Sequence, residues 1–263
     1  MPLLEFLLDE RADRKDIEVR VVSAGAKMGP EHCSEVATKM VDVKPHLSIF
    51  ISPNATLPGP SKGRKILADA GIPTIVISDS PTKKIIKDLE ADGFGYLIIE
   101  ADAMIGARRE FLDSVEMALF NSNIIKVLAI TGVFNLVFKE IDKVIRAIKN
   151  GEEPVLPHIV VDKEKATAAA RFKNPYAKSK AMAAYEISRG VANLTTESCF
   201  IVKEWERYIP IAAAAHEMMQ YAAKLAEEAR EIEKGGDTLL REPHSPDGTI
   251  MEKRKLIEKP TKP

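Results

Sequence analysis

The sequence is poor in the residues that mark metal sites and disulfide frameworks. It has 2 cysteines and 5 histidines among 263 residues, and Cys33 and Cys199 fit no metal-ligand spacing. These cysteines indicate reduced, buried thiols of a cytoplasmic protein, with a single disulfide as the alternative. The pair His216 and Glu217 opens a zincin-like motif, but Gln220 stands where the second histidine belongs. We therefore expect no metal site.

Long apolar runs and an excess of one charge are also missing. No run reaches the roughly 18 apolar residues that cross a bilayer, and no cationic segment precedes an apolar one at the N-terminus. Lys and Arg number 38 and Asp and Glu 39, for a net charge of −1. We therefore expect neither a membrane nor a nucleic acid as partner. A hydrophobic fraction of 45% with 29% charged residues is typical of a globular protein with a substantial core.

The familiar nucleotide-binding motifs are incomplete. Gly93-Phe94-Gly95 lacks the third glycine of the dinucleotide fingerprint, and Arg64 stands where a Walker loop starting at Gly59 would have its second glycine. No Ser-His-Asp or Cys-His set can be assembled from the sequence either. A nicotinamide-dependent oxidoreductase is therefore disfavoured, although it stays as a rival hypothesis.

Apolar runs alternate with helical patterns through the first hundred residues. The runs at 18–24, 46–52, 74–79 and 96–100 have the β-branched composition of buried strands. Strands separated by single helices predict a parallel sheet with right-handed crossovers. The sequence therefore predicts an α/β fold: a mostly parallel, doubly wound sheet without the usual phosphate-binding loop, followed by a helix bundle and a small C-terminal β hairpin or sheet.

The loop after the second run is the strongest local sign of a binding site. Residues 53–60 include three prolines, and each one fixes its own φ and restrains the residue before it. Open α/β sheets bind ligands at the carboxyl ends of strands, and this loop exceeds the usual length of about two to six residues. Gly59 lacks a Cβ, so we expect a ligand to approach its backbone. The alternative is a stiff connection with no binding role.

Positive charge is concentrated at a few positions. Arg108 and Arg109 follow the fourth apolar run, at the same predicted sheet edge as the 53–60 loop. Two adjacent guanidinium groups there indicate anion binding, with solvated surface as the alternative. For Lys178 and Lys180, which lie in a predicted helix, solvated surface is the better interpretation.

Several short segments form a combination that is more specific than any one of them. They are residues 25–31 (GAKMGPE), 53–54 with 58–60 (PN and PGP), 104–113 (MIGARREFLD), 174–178 (NPYAK) and 215–218 (AHEM). Together they resemble the methylenetetrahydromethanopterin dehydrogenases, enzymes of methanogenic archaea that use coenzyme F-420. The resemblance covers nearly the whole chain.

The resemblance implies a reaction as well as a fold. It implies reversible hydride transfer between the deazaflavin coenzyme F-420 and methenyl- or methylene-tetrahydromethanopterin, in the one-carbon metabolism of methanogenesis from CO2. It also implies a cytoplasmic homohexamer built as a trimer of dimers, with no metal, flavin or NAD. The substrate carbon is an amidinium-like cation and the reduced deazaflavin donates hydride. The protein must therefore supply orientation and a water-poor site, with no acid, base or nucleophile.

The resemblance also suggests which residues form the site. No side chain is expected to do covalent or proton-transfer chemistry, and the candidates for stabilising the substrate cation are Asp79, Glu110 and Glu217. The expected cofactor-binding residues are Lys27, Asn54, Pro58, Gly59, Pro60 and Asp79. The expected substrate-binding residues are Arg108, Arg109, Glu110, Lys178 and His216.

Some positions depart from the family pattern. The family has a strand and a glycine-containing loop before its first helix, whereas this sequence begins inside that helix. Ala55-Thr56 stand where Pro-Ala is usual, Ser78 where glycine is usual, and Ser114 where proline is usual. These departures leave one alternative open, an inactive paralogue or truncated form that binds a pterin or a partner without catalysis.

The change of pattern along the chain predicts three domains. Helical spacing dominates after the sheet, apart from a short strand near 158–162, and Pro210 is expected to open the last long helix. A turn at 245–248 between two short apolar runs predicts the hairpin, and the tail after Lys259 is expected to be disordered. The domains are an α/β cofactor-binding domain (1–105), a mainly helical bundle (106–235), and the C-terminal hairpin with its tail (236–263).

Overall fold

A computed structural model of the chain describes residues 2–9, 13–103 and 111–263. Its strands are β1 (Ser48–Ile51), β2 (Thr74–Asp79), β3 (Gly95–Ile99) and β4 (His158–Val161). Its helices are α1 (Pro2–Leu8), α2 (Pro30–Val43), α3 (Pro58–Asp69), α4 (Ile86–Ala91), α5 (Ser114–Thr131), α6 (Val133–Lys149), α7 (Lys163–Ala170), α8 (Pro175–Thr196) and α9 (Trp205–Gly235). A 3-10 segment, Ser80–Ile85, follows β2, and a π-helical segment, Glu197–Ile201, follows α8.

The strands form one parallel sheet in the order β1-β2-β3-β4. Every residue of β2 and β3 is buried, which explains why these two strands are continuous apolar runs without alternation. β4 lies at one edge and pairs Tyr96 with His158. The predicted α/β class with a parallel sheet is confirmed.

The chain divides into two compact units, each assembled from separate stretches of sequence. Within the described residues, the α/β unit comprises 2–9, 17–99 and 137–161. The bundle unit comprises 13–16, 100–103, 111–136 and 162–263. The division into three consecutive domains stays a prediction.

In the α/β unit, one predicted strand is not formed. Residues 17–24 have no regular secondary structure, and Val21 is 53% exposed. The alternating Val and Arg residues suit a strand, but a strand forms only where a neighbour offers its backbone, and no described strand pairs with this stretch. The prediction of a strand at 18–24 is therefore wrong.

In the bundle unit, α5, α8 and α9 pack around a core rich in alanine. Lys180 is paired with Glu228, and Ser188 contacts Met219, so α8 and α9 run antiparallel. Fully buried alanines let these helices approach closely: Ala177, Ala181, Ala184, Ala215, Ala222, Ala226 and Ala229. Asn174 caps α8 through hydrogen bonds from the N–H groups of Tyr176 and Ala177.

The last long helix begins earlier than the sequence suggests. Pro210 was expected to open it, but α9 begins at Trp205 and Pro210 lies inside it. Pro210 is the sixth residue of α9 and has no N–H, so the helix lacks the backbone hydrogen bond that residue 210 would otherwise donate to the Glu206 carbonyl.

The C-terminal segment forms the predicted hairpin. Antiparallel bridges join Arg241 to Lys253 and His244 to Ile250, around a turn that Gly248 closes at a φ of 82°. The tail was expected to be disordered, but Thr261 pairs with Glu252 through two backbone hydrogen bonds. That expectation is wrong because the backbone N–H and carbonyl of Glu252 are open to the tail and pair with Thr261.

Candidate functional site

The loop between β1 and α3 is shorter than the sequence indicates. It spans residues 52–57, because α3 begins at Pro58 and not at Ser61. Pro58 suits the first helical position, where its missing N–H leaves no hydrogen bond unmade. The predicted cofactor residues Pro58, Gly59 and Pro60 are therefore the first turn of a helix.

Side chains from three elements hold the backbone at Ala55. The Ala55 N–H donates to Thr82 Oγ1 at 3.1 Å and to Ser78 Oγ at 3.3 Å, and the two hydroxyls are 2.6 Å apart. The Ala55 carbonyl accepts a hydrogen bond of 2.6 Å from Arg64 Nη1. All four residues are buried. The loop thus has a fixed backbone at its centre although it belongs to no helix or strand.

Asn54 presents only one half of its carboxamide to a ligand. Its Oδ1 accepts hydrogen bonds from the Thr56 N–H at 3.0 Å and from Thr56 Oγ1 at 2.6 Å. This is the local turn that Asn side chains favour, and it occupies the oxygen. The partly buried Asn54 therefore offers its NH2 group, a donor, at the carboxyl end of β1.

Gly59 is needed by the fold. A Cβ on Gly59 would lie 2.0 Å from the Met28 carbonyl oxygen, so only glycine lets the 25–29 loop reach the first turn of α3. That loop carries Lys27, which is exposed. The loops of Lys27 and Asn54 are thereby both adjacent to the start of α3. A direct cofactor contact at Lys27, Pro58, Gly59 or Pro60 stays a prediction.

The start of α3 is a poor site for a phosphate group. Helix N-termini bind phosphate through free N–H groups, but Pro58 and Pro60 have none. The Ser61 N–H is bonded to the Leu57 carbonyl. The α/β unit therefore lacks the usual helix-based anchor of a dinucleotide at this strand end, as its missing glycine fingerprint indicates.

Asp79 is the last residue of β2 and lies opposite Ile99 of β3. It is 6% exposed and directly follows Ser78, whose hydroxyl holds the Ala55 N–H. The structure thus places Asp79 and Asn54 at the ends of neighbouring strands, as the sequence predicts for one edge of the sheet. Its role toward a cofactor or a substrate cation stays a prediction.

His216 occupies an aromatic environment in the bundle unit. Its ring stacks on Phe120 at 4.1 Å between centroids and meets Phe111 edge-on at 5.4 Å. Its Nδ1 is 4.0 Å from Glu116 Oε2, and its buried Nε2 has no hydrogen-bond partner among the described residues. Burial lowers the pKa of His216, and the charges of Glu116 and Glu217 oppose that shift. A neutral imidazole with an unused nitrogen suits hydrogen bonding to a polar ligand.

Within one chain, Lys178 lies far from His216. The contacts of Lys180 with Glu228 and of Ser188 with Met219 place His216 beside residues near 191 of α8. That level is about 13 residues from Lys178, or roughly 20 Å at 1.5 Å per residue. Lys178 and Glu217 are exposed. Within one chain, the bundle unit therefore does not bring Lys178 and His216 together.

The remaining predicted substrate residues are Arg108, Arg109 and Glu110, which lie outside the described residues. Sequence reasoning missed other groups that the structure brings into the two sites. In the bundle unit they are Phe111 and Phe120. The sequence holds one signal for Phe120: it follows Glu116 by four residues on a predicted helix, so both side chains lie on the same face and can contact the same neighbour. In the α/β unit they are Arg64 and Thr82, for which the sequence holds no signal.

The described residues limit the kinds of site that remain. They contain no group of three or more His, Cys, Asp or Glu side chains placed to hold a metal ion. Across the same residues, no helix has the length and apolarity to cross a membrane. The fold and the candidate sites thus define the class of protein. It is an α/β protein with a helix bundle, and it lacks the glycine motif of dinucleotide-binding proteins at the carboxyl ends of its strands.

Comparison with known proteins narrows this class to one family. The family model described as methylene-5,6,7,8-tetrahydromethanopterin dehydrogenase matches residues 1–261. An F-420-dependent methylenetetrahydromethanopterin dehydrogenase of Archaeoglobus fulgidus is 58% identical over 258 residues, covering 98% of this chain and 93% of the relative. The enzyme of the same name from Methanocaldococcus jannaschii is 54% identical, covering 98% and 94%.

A solved structure is similar over the same length. It is described as an F-420-dependent methylene-tetrahydromethanopterin dehydrogenase in complex with methylene-tetrahydromethanopterin and coenzyme F-420. It is 46% identical, has a TM-score of 0.95, and covers 98% of this chain and 94% of its own. This chain belongs to the methylenetetrahydromethanopterin dehydrogenase family, and the resemblance found in its sequence is confirmed.

Proposed function

We propose that this protein is an F-420-dependent methylenetetrahydromethanopterin dehydrogenase. It transfers a hydride reversibly between coenzyme F-420 and methylene- or methenyl-tetrahydromethanopterin. The observation that carries the proposal is the similarity to the structure bound to both ligands, at 46% identity and a TM-score of 0.95 over 98% of the chain. The archaeal relatives of the same name agree with this reaction and with a place in the one-carbon chemistry of methanogenesis.

The residues of the α/β unit fit a deazaflavin better than a nicotinamide dinucleotide. Pro58 and Pro60 remove the donors with which a helix would hold a pyrophosphate, and the Asn54 NH2 is left for a polar ring atom. When bound, coenzyme F-420 supplies the centre that accepts or donates the hydride. Asn54, Lys27 and Asp79 are the residues of this unit that we propose to hold it.

The protein's own contribution is orientation and the exclusion of water. Loss of a hydride from the methylene carbon leaves the methenyl cation, which is stabilised by its two nitrogens, so this carbon needs no protein base. The hydride goes to coenzyme F-420, together with one proton from the medium. A loop with a fixed backbone keeps the Asn54 donor in one place, and a neutral His216 among aromatic rings offers a polar contact away from water. For the substrate we propose contacts at His216, Lys178, Arg108, Arg109 and Glu110, with Glu110 or Glu217 near the cation.

The inactive alternative is not favoured. Two departures from the family pattern, Ala55 and Ser78, are joined to each other by a hydrogen bond of 3.3 Å. Where the family usually has proline, with no N–H, and glycine, with no hydroxyl, this chain has a donor and an acceptor that satisfy each other. The pair therefore preserves a fixed loop.

The activity can be tested directly. The purified protein is mixed with oxidised coenzyme F-420 and methylenetetrahydromethanopterin, and the deazaflavin absorbance is followed. We expect a loss of absorbance that depends on both ligands and on the protein, and no nicotinamide reduction when NAD or NADP replaces coenzyme F-420. No loss of absorbance with both ligands present would reject the proposal, and nicotinamide reduction would favour the rival class.

Exposed apolar side chains near the start of α9 support a proposal about assembly. Phe200, Ile201 and Trp205 are neighbouring apolar side chains that are 57%, 66% and 59% exposed, which suits burial against another subunit. We propose the homohexamer, a trimer of dimers, that the resemblance implies, in the cytoplasm. Light scattering on the eluting protein should give about six times 29.0 kDa; a mass of one subunit would reject the assembly.

A further inference from the structure

We propose that Arg64 is a positioning residue that sets the loop of Asn54 for the cofactor. The proposal rests on the proposed function, because the cofactor is taken to be coenzyme F-420. Arg64 lies in the second turn of α3, is 7% exposed, and donates from Nη1 to the Ala55 carbonyl at 2.6 Å. Ala55 is the residue between Asn54 and Thr56, so the guanidinium acts on the backbone that aims the Asn54 carboxamide.

Burying the Arg64 guanidinium costs free energy that a purely structural contact would not require. Burial lowers the pKa of its guanidinium, and Asp92 and Asp88 only partly oppose that shift. Its buried Nε has no hydrogen-bond partner among the described residues. An apolar side chain of similar size commonly packs as well as a buried charge or better, so stability is a poor reason for an arginine here.

The carbonyl and the N–H of Ala55 are held from opposite sides. Arg64 holds the carbonyl, while Ser78 and Thr82 accept from the N–H. The Ala55 side chain is fully buried, so this residue can form no ligand contact of its own. What the four residues fix is the orientation of the neighbouring Asn54, whose Oδ1 is occupied by Thr56 and whose NH2 is not. A fixed donor binds a rigid ring with less loss of conformational freedom.

The first test replaces the guanidinium. Arg64→Met should raise the dissociation constant for coenzyme F-420 at least 10-fold and its KM in parallel. It should change the KM for methylenetetrahydromethanopterin less than 2-fold, since that ligand is assigned to other loops. Binding is measured by titration of the deazaflavin fluorescence. Arg64→Lys should restore part of the affinity, because an ammonium can still donate to the carbonyl.

A matched variant separates positioning from stability. Leu67→Ala removes a side chain that is 1% exposed, one turn further along the same helix. It should lower the melting temperature without raising the dissociation constant for coenzyme F-420. If Leu67→Ala and Arg64→Met weaken cofactor binding equally, or if Arg64→Met binds within 2-fold of the wild type, Arg64 is not a positioning residue.

If Arg64→Met fails to fold, Arg64→Lys carries the test: it should raise the dissociation constant for coenzyme F-420 above the wild-type value, and an unchanged constant would reject the positioning role. A second set of variants tests the other side of the Ala55 peptide. Ser78→Ala and Thr82→Val each leave one hydroxyl for the Ala55 N–H, so each alone should change the dissociation constant less than 3-fold. The double variant leaves none and should raise it at least 10-fold. If the fold-change of the double variant equals the product of the two single fold-changes, the two hydroxyls do not share the role of holding the Ala55 N–H. Wild-type activity measured in parallel tests the proposed function separately, so an inactive wild type would reject that function and not the loop geometry.

Discussion

The two units of the molecule prepare their candidate sites in opposite ways. In the α/β unit, hydrogen bonds fix a loop: the Ala55 backbone is held by Arg64, Ser78 and Thr82. In the bundle unit, His216 is held by aromatic packing and keeps an unused nitrogen. The backbone of the first site is fixed before a ligand binds, whereas the second site offers a polar atom in apolar surroundings. For the two candidate sites, we therefore expect ligand binding to depend mainly on hydrogen bonds at the Asn54 loop and mainly on burial at His216.

The largest effect is expected at Gly59. Gly59→Ala places a Cβ 2.0 Å from the Met28 carbonyl oxygen, and a backbone atom cannot move aside cheaply. We expect a loss of about 3 kcal/mol or more in the free energy of unfolding, measured by denaturant melts. Gly71→Ala is the matched control, because its Cβ meets nothing within 4 Å and only its φ of 67° is strained. It should cost about 1 kcal/mol. Equal losses would contradict the close approach of the two loops.

A buried carboxylate of the bundle unit is of comparable importance. Glu233 is 2% exposed and accepts from the N–H groups of Lys173 and Asn174 and from Thr238 Oγ1. Glu233→Ala leaves these donors without a partner, and we expect a loss of about 2–3 kcal/mol in unfolding free energy. Glu233→Gln keeps an oxygen for the two N–H groups and should cost less than half as much. Similar losses would show that charge, and not hydrogen bonding, holds the start of α8.

An intermediate effect is expected at Asn54, on binding and not on stability. Asn54→Asp keeps the oxygen that Thr56 uses but replaces the NH2 donor with an acceptor. We expect an unchanged melting temperature and about 10-fold weaker binding of coenzyme F-420, equivalent to about 1.4 kcal/mol. Thr56→Val, which loosens the turn and leaves the NH2, is the control. Unchanged binding in Asn54→Asp would remove this residue from the cofactor site.

The smallest effect concerns His216 and pH. Its folded-state pKa is lowered by burial, so the unfolded chain binds the proton more readily. Its contribution to stability is present above the unfolded pKa of about 6.5 and is lost as pH falls toward the folded value. Unfolding free energies measured at intervals between pH 8 and 5 should therefore fall less steeply in His216→Phe than in the wild type. Parallel curves would contradict a buried neutral imidazole.

Most of the α/β unit could be predicted from its sequence. The runs at 74–79 and 96–100 match β2 and β3 because strands covered on both faces must be apolar throughout. The run at 18–24 has similar residues and forms no strand, since pairing depends on a neighbour that composition does not reveal. Pro58 shows the same limit of prediction from local sequence. A proline can lie within a loop or begin a helix, and which of the two occurs depends on what packs against it.

The candidate site was predictable only in part. Asn54 and Asp79 could be placed at one sheet edge because parallel strands end on the same side. The contact made by Arg64 could not be predicted. A buried arginine that donates to a carbonyl nine residues earlier stands in the same sequence pattern as a surface arginine on a helix. Lys178 and His216 belong to segments that the resemblance groups together, and the antiparallel packing of α8 and α9 separates them within one chain.

We expect the hydride to pass directly between the two ligands, without exchange with water. This expectation is tested by reducing methenyltetrahydromethanopterin with coenzyme F-420 that carries deuterium at its hydride position, followed by mass spectrometry of the product. We predict one deuterium in each methylene product in ordinary water, and none when unlabelled reduced cofactor is used in deuterated water. Loss of the label to water, or its uptake from deuterated water, would contradict direct transfer.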